Sequence, residues 1–287
     1  MNGELVRVTT TDGVHLAGML RQPVASGVSA LPIDVVILHH GVGGNFYNPG
    51  FIDRMAQQFL DRGCAVLRVN NRGHDLAYNS PAGRLGSAFE TVDDCRHDWK
   101  AWTDLAERHG FGRIGLWGHS LGAVKTIYSL AADDDDRIVR AIVSSPPRFS
   151  HRAFLDQEGH AVFEEYFAQA TRLIEAGTPD ALFSADVPTS LLMTARVYVD
   201  KYGPDERYDV LRHLPDVRTP MLVTIGGEEG VHLDRPDRFG FGGLAEKVAA
   251  LAEQQSNLSF ELIPGADHQY TNRTDQLWAA AERWLAK

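Results

Sequence analysis

Cysteine is scarce in this sequence: Cys64 and Cys95 are the only two among 287 residues. They match no zinc-type spacing and offer no disulfide framework. Cys64 opens an apolar run and Cys95 lies in a helical pattern, so both read as buried free thiols; a single bridge between them also fits the sequence. Positive charge is short too, with 28 Lys and Arg against 38 Asp and Glu and a net charge of −10. Nucleic-acid surfaces and anionic lipids both demand clustered Lys and Arg, so neither is an expected partner. No apolar run approaches the roughly 18 residues of a membrane-spanning helix. The opening MNGELVRVTTTDG has no basic region followed by an apolar stretch, so it does not read as a secretory signal. A cytoplasmic, reducing location is the expectation. Internal repeats and low-complexity tracts are missing as well.

What is present suits one large domain. Apolar residues make up 44% of the chain, enough for a substantial core, and charged residues 23%. Short strand-like runs alternate with helical ones, the pattern of a mostly parallel sheet covered on both faces. Strands are expected at 4–9, 14–20, 34–39, 64–70, 111–117, 139–145, 220–225 and 258–263. Helices are expected at 48–61, 91–108, 121–131, 244–255 and 271–285. Between Pro146-Pro147 and about Asp216 the alternation stops. Val162, Phe163, Tyr166, Phe167, Leu173 and Ile174 recur there at helical spacing, and Leu182–Val199 also reads as helical. The expected organisation is therefore a core of residues 1–146 and 217–287 with a helical cap insertion at 147–216. The run Asp133–Asp136 matches no calcium loop and reads as a solvated turn.

The chemistry concentrates in GLWGHSLGA, residues 115–123. Gly118-His119-Ser120-Leu121-Gly122 is a G-x-S-x-G pentapeptide with an apolar strand before it and a helix after it, the context that makes this motif specific. A sharp turn there lifts the Ser120 hydroxyl off the sheet edge, where a ligand can reach it. A serine hydroxyl needs a base, and the base needs an orienting acid. Among 12 histidines, His15, His109, His151 and His213 sit in surface or packing patterns. His268 follows the last strand in a Pro-Gly loop that projects over the same sheet edge, and is the candidate base. The loop after the 220–225 strand supplies the acid from Glu228, Glu229, Asp234 or Asp237. Glu229 is favoured because it lies just past the strand end, at G-x-x-E spacing from Gly226. Backbone N–H groups of Val42, in the loop His39-His-Gly-Val-Gly-Gly-Asn45, and of Leu121 are the candidate oxyanion donors. The HHGVGG run lacks the Lys-Ser/Thr ending of a P-loop and does not fit G-x-G-x-x-G, so a nucleotide is not expected.

Taken together, His40-Gly41, Gly118-His-Ser-Leu-Gly122 and Gly265-Ala-Asp-His268 make the chain resemble the α/β-hydrolase superfamily, in particular its bacterial, serine-esterase-like members with N-N-R-G-H-D and G-A-D-H-x-Y segments. The resemblance spans nearly the whole chain and implies an eight-stranded, mostly parallel sheet flanked by helices, a small helical cap and a Ser-acid-His triad. Asn71-Arg-Gly-His-Asp75 is similar to the family's Arg-Gly loop, a structural element. Two departures stand out. The family usually offers Asp where this chain has Glu229, and Val231–Gly243 reads as an insertion before His268. The expected activity is hydrolysis of a carboxylic ester of a small to medium acyl substrate, without cofactor or metal. Lactones and thioesters fit the same machinery. An acyltransferase using the same triad is the alternative, and a non-catalytic binding protein of the same fold ranks below both.

Overall fold

The computed structural model describes residues 3–24, 29–230 and 239–287. The early strands are β1 (Glu4–Thr9), β2 (His15–Arg21), β3 (Val35–His39) and β4 (Ala65–Val69); a small hairpin, β5 (Tyr78–Ser80) and β6 (Gly83–Leu85), follows, then β7 (Ile114–His119) and β8 (Ile138–Ser144). The later strands are β9 (Leu182–Ala185), β10 (Leu191–Thr194), β11 (Met221–Gly226) and β12 (Leu258–Ile263). The helices are α1 (Phe51–Asp61), α2 (Cys95–Arg108), α3 (Leu121–Ala132), α4 (His151–Leu155), α5 (His160–Glu175), α6 (Ala195–Tyr202), α7 (Val210–His213), α8 (Leu244–Gln254) and α9 (Thr274–Leu285).

Eight strands form one sheet in the order β1-β2-β4-β3-β7-β8-β11-β12. Only β2 runs against the rest, pairing antiparallel with β1 and β4. β3 and β7 are buried along their whole length, while β1 and β2 alternate buried and exposed positions. That is the contrast expected between covered parallel strands and an antiparallel edge. Successive side chains leave opposite faces of the sheet. Val35 and Ile37 join Trp102, Val124 and Leu244 in one apolar cluster. Val36, Leu38 and Trp117 join Phe59, Leu277 and Trp278 in the other. α1 and α9 thus cover one face, and α2, α3 and α8 the other.

The two cysteines lie one in each cluster, on opposite faces of the sheet, and both are free. Burial pushes the Cys64 thiol up to about 12 and raises Cys95 as well. No bridge joins them. In the acidic run, Asp133, Asp134 and Asp135 each pair with an arginine, Arg96, Arg218 and Arg137 respectively. Among the described residues no cluster of three metal-ligating side chains occurs, and no helix is long and apolar enough to cross a membrane.

The cap departs from expectation in one segment. Leu182–Val199 is not a continuous helix: β9 and β10 pair antiparallel, Leu182 opposite Thr194, and the helix starts only at Ala195. Leu182–Ala185 alternates exposed and buried positions, a strand signal inside a window that also counts as apolar. Pro188 cannot donate within a helix interior, and Thr194 caps α6 by accepting from Val197 N. Helix starts also fall later than the periodicity suggests. α1 begins at Phe51, where Asp53 accepts from Gly50 N at 3.0 Å, and α2 begins at Cys95. The stripe of Phe163, Tyr166 and Phe167 packs inside the cap, with Phe163 against Phe154 and Tyr198.

Candidate active site

The register of the central strands brings several carboxyl ends to one edge. His39 pairs with Gly118, His119 with Ser144, and Ser144 with Thr224. The loops after β3, β7, β8, β11 and β12 therefore converge there, the edge at which open α/β sheets bind ligands.

Ser120 occupies the tight turn between β7 and α3. Its φ is 55°, a left-handed value that non-glycine residues adopt only where the surroundings enforce it. Close packing supplies the enforcement. A Cβ on Gly118 would lie 2.3 Å from the Gly122 carbonyl oxygen, and one on Gly122 would lie 2.4 Å from the His40 carbonyl oxygen. Neither position tolerates a side chain, which is the physical content of the two motif glycines. Ser120 N donates to Ser144 O at 2.9 Å, and Ser120 O accepts from Ala123 N and Val124 N, so the serine sits at the positive end of α3.

His268 Nε2 lies 2.9 Å from Ser120 Oγ, and His268 Nδ1 lies 2.5 Å from Glu229 Oε1. The line is continuous from hydroxyl to imidazole to carboxylate. Glu229 is fully buried. A charge removed from water needs hydrogen-bond donors. Its second oxygen has two: Gly226 N at 2.7 Å and the Ser145 hydroxyl at 2.6 Å. Ser145 Oγ is also 2.9 Å from the Tyr270 hydroxyl, which is 3.0 Å from Thr224 Oγ1. With the one Ser145 proton on the carboxylate, Tyr270 donates to Ser145. Burial and the nearby Glu229 charge raise the Tyr270 phenol above its ordinary value, keeping that donor protonated.

His119, the variable residue before the serine, anchors His268. Its Nε2–H donates to the His268 backbone carbonyl at 2.8 Å, and the two rings lie 4.9 Å apart. Burial, then the neighbouring His268, lowers the His119 imidazole to about 3, so it stays neutral beside the His268 ring.

The structure brings together Ser120, His268 and Glu229, the three candidates singled out in the sequence. Glu228, the neighbouring alternative, is exposed. Asp234 and Asp237, with most of the Val231–Gly243 segment, lie outside the described residues. Sequence reasoning missed Ser145, Tyr270 and His119. Two of them left a local trace: Ser145 closes a buried strand, and Tyr270 stands two residues after His268.

A cavity of about 320 Å³ opens over Ser120. Val42, Leu121 and His268 all line it. Gly41 passes so near that a Cβ there would lie 3.0 Å from Ser120 Cβ. The first residue of a helix has no intrahelical partner for its amide, so Leu121 N is available to a ligand. The apolar lining comes from Phe51, Pro147, Phe149, Leu191, Tyr202 and Phe241, drawn from α1, the cap and the loop before α8. Among the described residues lining the cavity there is no carboxylate. The site has the size and mainly apolar character of a small-molecule pocket with a few convergent polar groups.

A parallel sheet carrying a serine on a strained strand-to-helix turn, with histidine and carboxylate delivered by later loops, is the architecture of an α/β hydrolase. The alpha/beta hydrolase family model matches residues 35–281, and the chain belongs to that family. A curated protein of Escherichia coli, the uncharacterized 31.7 kDa protein in the traX-finO intergenic region, is 24% identical over 262 residues, spanning 85% of this chain and 89% of its own length. Among solved structures, the alpha/beta hydrolase GrgF from Penicillium sp. sh18 superposes with a TM-score of 0.69 at 14% identity, covering 99% of this chain and 98% of its own. Est1E from Butyrivibrio proteoclasticus gives 0.66 at 18% identity over the full length of both chains. The Pyrococcus furiosus esterase Pf2001 gives 0.62 at 19%, covering 99% and 92%. At these identities the structural likenesses establish the fold. Family membership, with esterases among the fold neighbours, supports hydrolase activity.

Proposed function

We propose that this protein is a serine hydrolase that cleaves a carboxylic ester through an acyl-enzyme. The observation that carries the reading is the unbroken Ser120–His268–Glu229 line, 2.9 Å and 2.5 Å at its two joints, with Ser120 and His268 lining the cavity and Glu229 buried behind them. In this reading Ser120 Oγ attacks the acyl carbon while His268 Nε2 takes its proton. His268 then gives that proton to the leaving alcohol. Glu229 fixes the imidazole tautomer and stabilises its cation. The amides of Val42 and Leu121 donate to the tetrahedral oxyanion. Water repeats the attack on the acyl-enzyme and regenerates the serine. Every group comes from the chain itself, so the mechanism calls on no metal or cofactor.

The test is hydrolysis of p-nitrophenyl acetate and butyrate by wild type and Ser120→Ala, with fluorophosphonate labelling and mapping of the modified residue. The expected result is turnover and a label on Ser120, both lost in the alanine variant. A folded wild-type protein that takes no label and turns over neither ester would overturn the reading. Faster product formation with an added alcohol or amine, captured as its acyl derivative, would point to the acyltransferase instead.

A further inference from the structure

Behind the cavity wall lies a buried charged cluster that the triad does not use. Lys125 of α3 forms a close ion pair with Glu90 Oε2, while Lys201 of the cap helix α6 stands 3.8 Å from Glu90 Oε1. All three side chains are buried to 1% exposure or less. Lys125 Nζ also donates to Asn71 Oδ1 at 3.0 Å, and the Asn71 amide reaches His39 Nε2 at 2.8 Å. Burial holds His39 and His40 neutral, so neither adds a charge to the cluster. Within the cluster two cations face one anion; the Asp200 carboxylate also acts on Lys201, but it is hydrogen-bonded to Arg207 and Tyr208. Lys125 is satisfied. Lys201 has only the 3.8 Å approach, beyond hydrogen-bond distance, and Glu90 Oε1 in turn has no donor.

Lys201 lines the same cavity as Ser120. Arg68, the other cation lining it, is held by Asp53 and by the Asn48 carbonyl. A protein of net charge −10 thus presents a cavity whose lining, among the described residues, includes cations and no carboxylate. An ammonium removed from water and left without an acceptor is costly unless a partner arrives.

We infer that Lys201 is an anion subsite of this cavity, and that the substrate is a short ester bearing a second, free carboxylate. The ester half of this statement rests on the hydrolase reading above; the carboxylate half rests on Lys201 and its surroundings. The core would do the chemistry while the cap reads the charge. A cavity of about 320 Å³ suits either a half-ester of a short dicarboxylic acid or a short acyl ester of a hydroxy acid. In both, the second carboxylate pairs with Lys201 Nζ.

Two matched ester pairs, assayed by pH-stat on wild type and Lys201→Met, separate these sources. Monoethyl glutarate against ethyl pentanoate places the charge on the acyl side. Butanoyloxyacetate against ethyl butanoate places it on the alcohol side. The expected wild-type result is a kcat/KM ratio of about tenfold or more in favour of the charged member of one pair, falling to within about threefold of unity in Lys201→Met. Because the ratio is taken within one sample, partial misfolding of the variant cancels. A wild-type ratio near one in both pairs, or a preference that survives in Lys201→Met, overturns the inference. Calorimetric titration with glutarate keeps the two readings apart should no ester be cleaved. Binding to wild type that Lys201→Met abolishes supports the subsite while the hydrolase reading fails, and no binding to wild type overturns the subsite.

Discussion

The Glu229 carboxylate is fully buried, and its position depends on three contacts: His268 on one oxygen, Gly226 N and Ser145 on the other. Removing the backbone donor would take a proline that also disturbs the chain, but the other two relations can be tested cleanly. Glu229→Gln is nearly isosteric, yet an amide can present N–H to His268 Nδ1 and so favour the wrong imidazole tautomer. The expected loss in kcat is about 10³–10⁴-fold. Glu228→Gln changes an exposed neighbour and is expected to stay within about threefold of wild type. Ser145→Ala removes one charge-assisted donor and is expected to cost about tenfold in kcat/KM. Steady-state kinetics on p-nitrophenyl butyrate checks all three. A large loss in Glu228→Gln with little in Glu229→Gln would reverse the assignment of the acid.

Elements differ in how openly their sequence declares them. β3, β7 and β11 are buried throughout and read as apolar runs, so the sheet and its carboxyl edge were legible, and with them Ser120, His268 and Glu229 as candidates placed at that edge. The β9–β10 hairpin was not. Four-residue strands that pair only with each other leave too short an alternation to stand out beside a helical stripe. His119 and Lys201 were illegible for another reason, and Ser145 showed only its place at a strand end: they act through contacts 149, 111 and 84 positions away, a relation that local periodicity does not carry. The Arg-Gly loop after β4 shows the same long reach in a structural role. Arg72 binds Asp98 of α2 at 2.8 Å and Asp12, in the β1–β2 turn, at 2.7 Å. It thereby ties three elements together. Asp98 is buried, so removing its partner leaves an uncompensated charge. Arg72→Met is expected to destabilise by about 3–5 kcal/mol, read as a drop in the urea midpoint at unchanged m-value. A loss under about 1 kcal/mol would mean that Asp98 takes up a proton or finds water instead.

At the scale of the whole molecule, the fold buries histidines that it keeps uncharged. Burial, followed by the charges of His40 and Lys125, lowers His39 well below its ordinary value. Burial lowers His40 to about 4, and burial with the nearby His268 lowers His119 to about 3. In the unfolded chain each titrates near the ordinary value of about 6.5. Between that value and the folded ones the unfolded state binds protons that the folded state refuses, so stability rises with pH across this window. It is therefore fully present above about pH 6.5 and is lost as pH falls toward the folded values. His40 and His119 each contribute a loss of about 2 kcal/mol by pH 5, and His39 acts in the same direction. Depressed carboxylates act lower down: Asp12, with Arg72 bonded to it, falls to about 2 against the desolvation that opposes the shift. Its contribution is present above the ordinary carboxylate range and fades only as pH approaches 2. A decline that begins between pH 6.5 and 5 therefore belongs to the histidines. Urea unfolding at pH 7 and pH 5 measures it. His119→Gln keeps an N–H donor for the His268 carbonyl but has no proton to gain, so the drop between the two pH values is expected to shrink by about 2 kcal/mol in that variant. An equal drop in wild type and His119→Gln would mean that His119 is protonated in the native protein, and a cation would then stand beside His268.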